Sequence, residues 1–252
     1  MTPFLIALQF LTTLRIQLKE MPTAQQNANS ILFYPVVGLI IGLILYIVAL
    51  LLSGLPTVLL SSLILVLWIW LTGGLHLDGL ADTADALVGG FGDKERTLKI
   101  MKDPSCGPIG VLSLIIVCVL KWAALYVLLE EKAALALLLF PLLGRTIVLA
   151  LFVITPYVRS NGLGSSIAAH LPKRRVYWGV GLSLSLVMYF LGLGLLTALA
   201  WVLTFVYLRT KFLQRLEGIT GDTIGASIEL SETACLLAFV IGLSYLPIGT
   251  LF

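Results

Sequence analysis

Long apolar stretches alternate with short polar ones along the chain. Apolar runs occupy 31–52, 57–71, 110–129, 133–154, 176–208 and 233–252, each long enough, or nearly so, to cross about 30 Å of hydrocarbon as a helix. The run 176–208 exceeds one crossing and is interrupted by Gly192-Leu193-Gly194, which predicts a tight hairpin of two short helices. The pattern predicts an all-α integral membrane protein with about seven transmembrane helices, read as one polytopic membrane domain over 1–252. Ahead of the spans, Phe4 to Ile16 is apolar but interrupted by Gln9, Thr12 and Thr13. That is short for a crossing and fits an N-terminal interfacial or re-entrant helix. With no basic residue before Arg15 and no small-residue cleavage site, it does not read as a signal peptide.

Composition agrees: 59% of the 252 residues are hydrophobic and 12% charged, far from the average of water-soluble domains. Charge placement sets the expected orientation. With the N-terminus in the cytoplasm, 19–30, 76–109, 155–175 and 209–232 face inward, and the connections near 54–56, 130–132 and 193–195 face out. Thirteen basic residues then lie inside, only Lys132 outside, and Lys121 and Arg145 within spans, as the positive-inside bias demands. The three cysteines, Cys106, Cys118 and Cys235, are scattered, which argues against a zinc site or a disulfide framework. A net charge of +3 without basic residues interleaved with aromatics gives nucleic-acid binding no support.

Ten of the thirteen acidic residues fall in two inward segments, read as cytoplasmic acidic loops at 76–109 and 209–232. The positive-inside effect does not require this. In the first segment Asp78, Asp82 and Asp85 stand at i, i+4 and i+7, within about a 60° arc of a helix at about 100° per residue. Three like charges on one face beside a membrane are unfavourable unless cations occupy them. Mg²⁺ suits such oxygens, and it is commonly shared between carboxylates and substrate phosphates. The bland alternative is the solvated face of an amphipathic helix. His76 adjoins the acid face, either as an assisting group or as a hydrogen-bonding neighbour.

The second segment contains Thr220-Gly221-Asp222-Thr223 ahead of an apolar run. It could offer backbone N–H groups to a phosphate and a carboxylate to a metal, or simply form a turn and helix cap. Lys102-Asp103-Pro104 is a stiff turn that could contact substrate or metal. Arg145, inside an apolar run, would suit an inward-facing phosphate binder.

The string 73–85 (Gly-Gly-Leu-His-Leu-Asp-Gly-Leu-Ala-Asp-Thr-Ala-Asp), Lys102-Asp103-Pro104, Pro141-Leu142-Leu143-Gly144-Arg145, Thr220 to Ala226 and the opening Phe10-Leu11-Thr12 together resemble the cobalamin synthase family, the adenosylcobinamide-GDP ribazoletransferases. The likeness covers nearly the whole chain, and the first motif is its most specific part. The chain departs from the family at Thr13-Leu14-Arg15-Ile16, where a basic residue and proline are usual, and at Ser105-Cys106, where a basic residue is common.

The resemblance implies a Mg²⁺-dependent phosphotransferase of a bacterial or archaeal cytoplasmic membrane. It would join adenosylcobinamide-GDP to α-ribazole, or its 5′-phosphate, with release of GMP. Within that picture Asp78, Asp82, Asp85 and Asp222 are the expected metal ligands, and Asp82 or Asp85 the catalytic base. His76, Lys102, Asp103, Arg145, Thr220, Gly221 and Thr223 are the expected substrate contacts. The bilayer is the expected partner, and homo-oligomerisation stays open. Two rivals fare worse. A CDP-alcohol phosphotransferase expects Asp-Gly-x-x-Ala-Arg, whereas Asp78-Gly79-Leu80-Ala81 runs into Asp82-Thr83. A secondary transporter expects carboxylates near the bilayer midplane rather than in loops.

Overall fold

The computed structural model describes residues 2–18, 20–160 and 163–245. Lys19, counted above among the inward basic residues, and the 246–252 end of the last expected span lie outside the described residues. Helix α1 (Thr2–Leu11) is short and apolar, as the sequence suggests. Helix α2 (Ala24–Ser30) starts at a capping box, in which Thr23 Oγ1 accepts from Gln26 N–H and Gln26 Oε1 accepts from Thr23 N–H. One 3₁₀ turn carries α2 into α3 (Tyr34–Leu51). Helix α4 (Thr57–Thr72) stops because Gly73 and Gly74 both take left-handed conformations, φ +64° and +72°, which cost glycine little. The chain then leaves at 86° as α5 (Leu75–Gly89). This places the acid helix across the end of the bundle instead of continuing α4.

Helix α6 (Lys94–Ile100) is capped by Asp93, and α7 (Pro108–Glu130), α8 (Leu139–Ile154), α9 (Leu163–Ala169), α10 (Lys173–Val187), α11 (Leu191–Leu216) and α12 (Gly221–Tyr245) follow. Among the described residues five helical stretches are long and apolar enough to cross a membrane, six with the bent α4–α5 pair. One of the five, Lys173–Leu216, has 44 residues, about 66 Å at 1.5 Å per residue, too long for one crossing. It turns back on itself at Met188–Phe190, with Leu191 at φ +50° and Gly194 packed on the Val187 carbonyl. Both legs lie along α8. Gly179 of α10 approaches Leu149, Trp201 of α11 donates to the Leu143 carbonyl (2.9 Å), and Arg209 donates to the Ile154 carbonyl (3.1 Å). With the hairpin counted as two legs and the bent pair as one, the described residues hold seven such stretches, the expected number. Its turn falls just before Gly192, where the expected break begins, because the small residue is needed for the close return and not for the turn itself.

Burial separates core from perimeter. The α8 stretch is 78% buried, that of α7 only 28%, so α8 is central and α7 peripheral. Leu112, Ile115, Ile116 and Val119 on α7, and Leu195, Leu199 and Leu203 on α11, are exposed, an apolar perimeter that suits hydrocarbon. Helix α3 meets α8 through Gly38 and the 3₁₀ turn just before α8 through Gly42. A Cβ at either would collide with the Pro141 carbonyl or the Leu137–Leu138 backbone, the close approach of a small-xxx-small face.

Two expectations change. The segments 76–109 and 209–232 are not loops but mainly helix: α5 and α6 in the first, the last turns of α11 and the first three of α12 in the second. The last span starts at Gly221 instead of 233 because Glu229 and Glu232, polar enough to suggest a loop, are buried against cations. Lys121 Nζ lies 2.6 Å from Glu229 Oε2 and 2.7 Å from Glu232 Oε2, and Arg145 pairs with Glu232 Oε1. Two cations and two carboxylates neutralise one another, which is how charge persists in such surroundings.

Candidate active site

The site is made where α5 crosses α12. Gly79 and Gly225 form the crossing: a Cβ on Gly79 would stand 2.8 Å from the Asp222 carbonyl oxygen, and one on Gly225 would stand 3.2 Å from that of His76. The contact brings the α5 acid face beside Asp222. Partial burial first, then the charges of Asp78 and Asp222, push the Asp82 carboxyl up to about 6 against the opposing pull of Arg159. Gathered carboxylates that disfavour one another's ionisation form a receptive place for a cation.

Arg159 also belongs to the site, although sequence reasoning counted it only as an inward basic residue. Its Nη2 donates to Asp222 Oδ2 at 2.5 Å. A single parallel bridge between Tyr157 and Ile219 holds it there, with Val158 N–H donating to the Ile219 carbonyl (2.9 Å) and Ile219 N–H to that of Pro156 (2.8 Å). Lys102 lines a shallow surface groove of about 370 Å³ beside Arg159 and Ser160.

Several expected site residues are engaged elsewhere. Asp85 accepts from Gly107 N–H (2.7 Å) and Gly110 N–H (2.9 Å), so each of its oxygens caps α7. Thr220 and Thr223 are fully buried and cap α12 reciprocally, Thr220 N–H donating to Thr223 Oγ1 (2.8 Å) and Thr223 N–H to Thr220 Oγ1 (3.3 Å). Their hydroxyls are not presented to a substrate. Arg145 is fully buried and committed to Glu232, so it does not face a phosphate. Asp103 is exposed, accepts from Ser105 N–H, and lines a different surface groove with Phe91, Arg96 and Lys99.

Asp78, His76, Gly221 and Asp222 do come together, around a cleft of about 220 Å³. Phe10, Leu75 and Gly221 at its rim are exposed, while Leu11, Tyr34, Val148, Ile167 and Ile228 at its floor are buried. His76 is 3% exposed; its Nδ1 faces Arg145 Nη2 at 3.5 Å and its Nε2 has no partner. Among the described residues no three His, Cys, Asp or Glu side chains are arranged to hold a metal ion alone. The oxygen chemistry of Asp78, Asp82 and Asp222 fits a hard cation that takes its remaining ligands from water or phosphate.

Fold and site define a class: a multi-pass helical membrane protein whose carboxylates are gathered at one end of the bundle around a largely apolar cleft. The profile of the family described as Cobalamin-5-phosphate synthase matches residues 3–240. An adenosylcobinamide-GDP ribazoletransferase of Acinetobacter baumannii (strain ATCC 17978) is 58% identical over 246 residues, 98% of this chain and 100% of the relative. Proteins of the same name from Ectopseudomonas mendocina (strain ymp) and Pseudomonas putida (strain GB-1) are 53% and 51% identical, covering 94% and 96% of this chain and 98% and 100% of theirs. No solved structure matches. The chain belongs to the cobalamin-5-phosphate synthase family.

Proposed function

We propose that the protein is an adenosylcobinamide-GDP ribazoletransferase of the bacterial cytoplasmic membrane, with its N-terminus and acid site on the cytoplasmic side. A hydroxyl of α-ribazole, or of its 5′-phosphate, attacks the phosphorus that bears cobinamide. The new O–P bond forms as the bond to the bridging oxygen breaks, and GMP leaves with that oxygen. The observation that carries this reading is the crossing of α5 on α12, which sets Asp78 and Asp82 beside the Asp222–Arg159 pair in a member of this family.

Asp78, Asp82 and Asp222 would hold Mg²⁺, which supplies charge neutralisation to the diphosphate. Of the three, Asp82 is the carboxylate assigned to the hydroxyl proton, which it would take on the oxygen the cation leaves free. Arg159 and Lys102 offer cationic donors to the phosphates. Arg159 would exchange its Asp222 partner for a phosphate oxygen as the donor arrives. The decisive experiment measures GMP release by detergent-solubilised protein given adenosylcobinamide-GDP and α-ribazole. Release that needs both substrates and Mg²⁺, and drops about 10²-fold or more in Asp82→Asn, is expected for loss of a general base. No release by folded wild type would refute the reading.

A further inference from the structure

The cleft beside Asp78 and Asp222 has a floor unlike its rim. Two aromatic pairs contribute to its wall: Phe10 stacks on Tyr34 (6.2 Å between centroids, 24° between planes) and Phe152 on Tyr157 (5.7 Å, 14°). At about 220 Å³ it is smaller than the roughly 300 Å³ and upward that drug-sized ligands occupy. It is therefore far too small for a corrin macrocycle, and of a size and lining for a flat bicyclic ring.

Its polar groups say more. Arg145 has only donors to offer, so its approach to His76 Nδ1 favours the tautomer whose proton is on Nε2. That Nε2 is buried in the cleft wall without an acceptor. Tyr34 Oη, also buried and lining the cleft, has the Ser30 hydroxyl nearby but forms no hydrogen bond of normal geometry. Buried polar groups are rarely left unsatisfied in a folded protein, and the His76 and Tyr34 that carry these atoms line the same small apolar space.

We infer that this cleft is the subsite for the heteroaromatic base of ribazole, with His76 Nε2–H and the Tyr34 hydroxyl addressing its unsubstituted ring nitrogen and its sugar oxygens. The inference rests on the phosphotransfer reading for the identity of the acceptor. It gives the reaction a direction: with the base seated on the floor, the ribose lies at the rim beside Asp78 and Asp222, where the donor's diphosphate would be held. The acidic site then serves the donor and the aromatic cleft the acceptor.

The test measures KM for each substrate separately in wild type, Tyr34→Phe, which keeps the ring and loses the hydroxyl, and Val148→Phe, which fills the floor. KM for α-ribazole should rise about tenfold or more in both, while KM for adenosylcobinamide-GDP stays within about twofold, since a site that pairs a substrate's polar atoms discriminates strongly when a partner is lost. Unchanged α-ribazole KM in both variants, or a rise in the donor's KM instead, overturns the subsite even if GMP release is robust. Should Val148→Phe fail to fold, Tyr34→Phe alone decides. If wild type releases no GMP, the phosphotransfer reading fails separately. Equilibrium dialysis of α-ribazole against the same proteins then judges the cleft: binding that weakens in Tyr34→Phe sustains it, and absent or unaffected binding rejects it.

Discussion

Asp82 and Asp85 share one face of α5 yet have different surroundings. Asp85 spends both oxygens on the N-terminus of α7, so Asp85→Ala should lower thermal stability by about 1–2 kcal/mol, the usual effect of losing such a cap. Its effect on GMP release should be much smaller than that of Asp82→Asn; equal losses would return Asp85 to the reacting centre. Asp82, pushed up to about 6 by burial and its acidic neighbours before any cation binds, is a place where protons compete with the cation. As pH falls through about 6 its protonated form grows, so the Mg²⁺ concentration for half-maximal rate should rise, whereas above 7 it should level off. A Mg²⁺ requirement flat from pH 5 to 8 would contradict this. The alternation of acids along α5 was legible because i, i+4 and i+7 are neighbours on any helix. The division of labour was not, since the capping partner of Asp85 is 22 residues away and the ion-pair partner of Asp222 is 63 residues away.

At the scale of elements, the α5–α12 crossing depends on two glycines, Gly79 and Gly225. Gly79→Ala would place a methyl 2.8 Å from the Asp222 carbonyl. The helices must separate, and a displacement near 1 Å at the reacting groups can cost about 10²-fold in rate. The variant should still reach the membrane; GMP release at the wild-type rate would show that the crossing does not position the carboxylates. The buried cluster of Lys121, Glu229, Arg145 and Glu232 joins α7, α8 and α12. Removing one member leaves uncompensated charge, so Glu232→Ala should destabilise by about 3–5 kcal/mol, read as a fall in the detergent-resistant folded fraction. Hydropathy alone could not place these acids inside a span, because their neutrality depends on cations on other helices.

For the whole molecule, the orientation inferred from thirteen basic residues against one can be tested with a membrane-impermeant thiol reagent. Applied to intact cells it should modify Lys132→Cys, while exposed Cys106 should react only after the cells are opened. The reverse pattern would invert the topology. Hydrophobic run length, the folded-back pair near Gly192, the short first helix and the acid face of α5 could all be read from the chain alone, because helix formation and burial in hydrocarbon act on contiguous residues. Which acid caps a helix, which cation neutralises Glu232, that Arg159 meets Asp222, and that Tyr34, His76 and Val148 wall one cleft were settled only by tertiary structure. Those choices follow from which helix faces pack together, and packing joins residues that no spacing along the sequence relates.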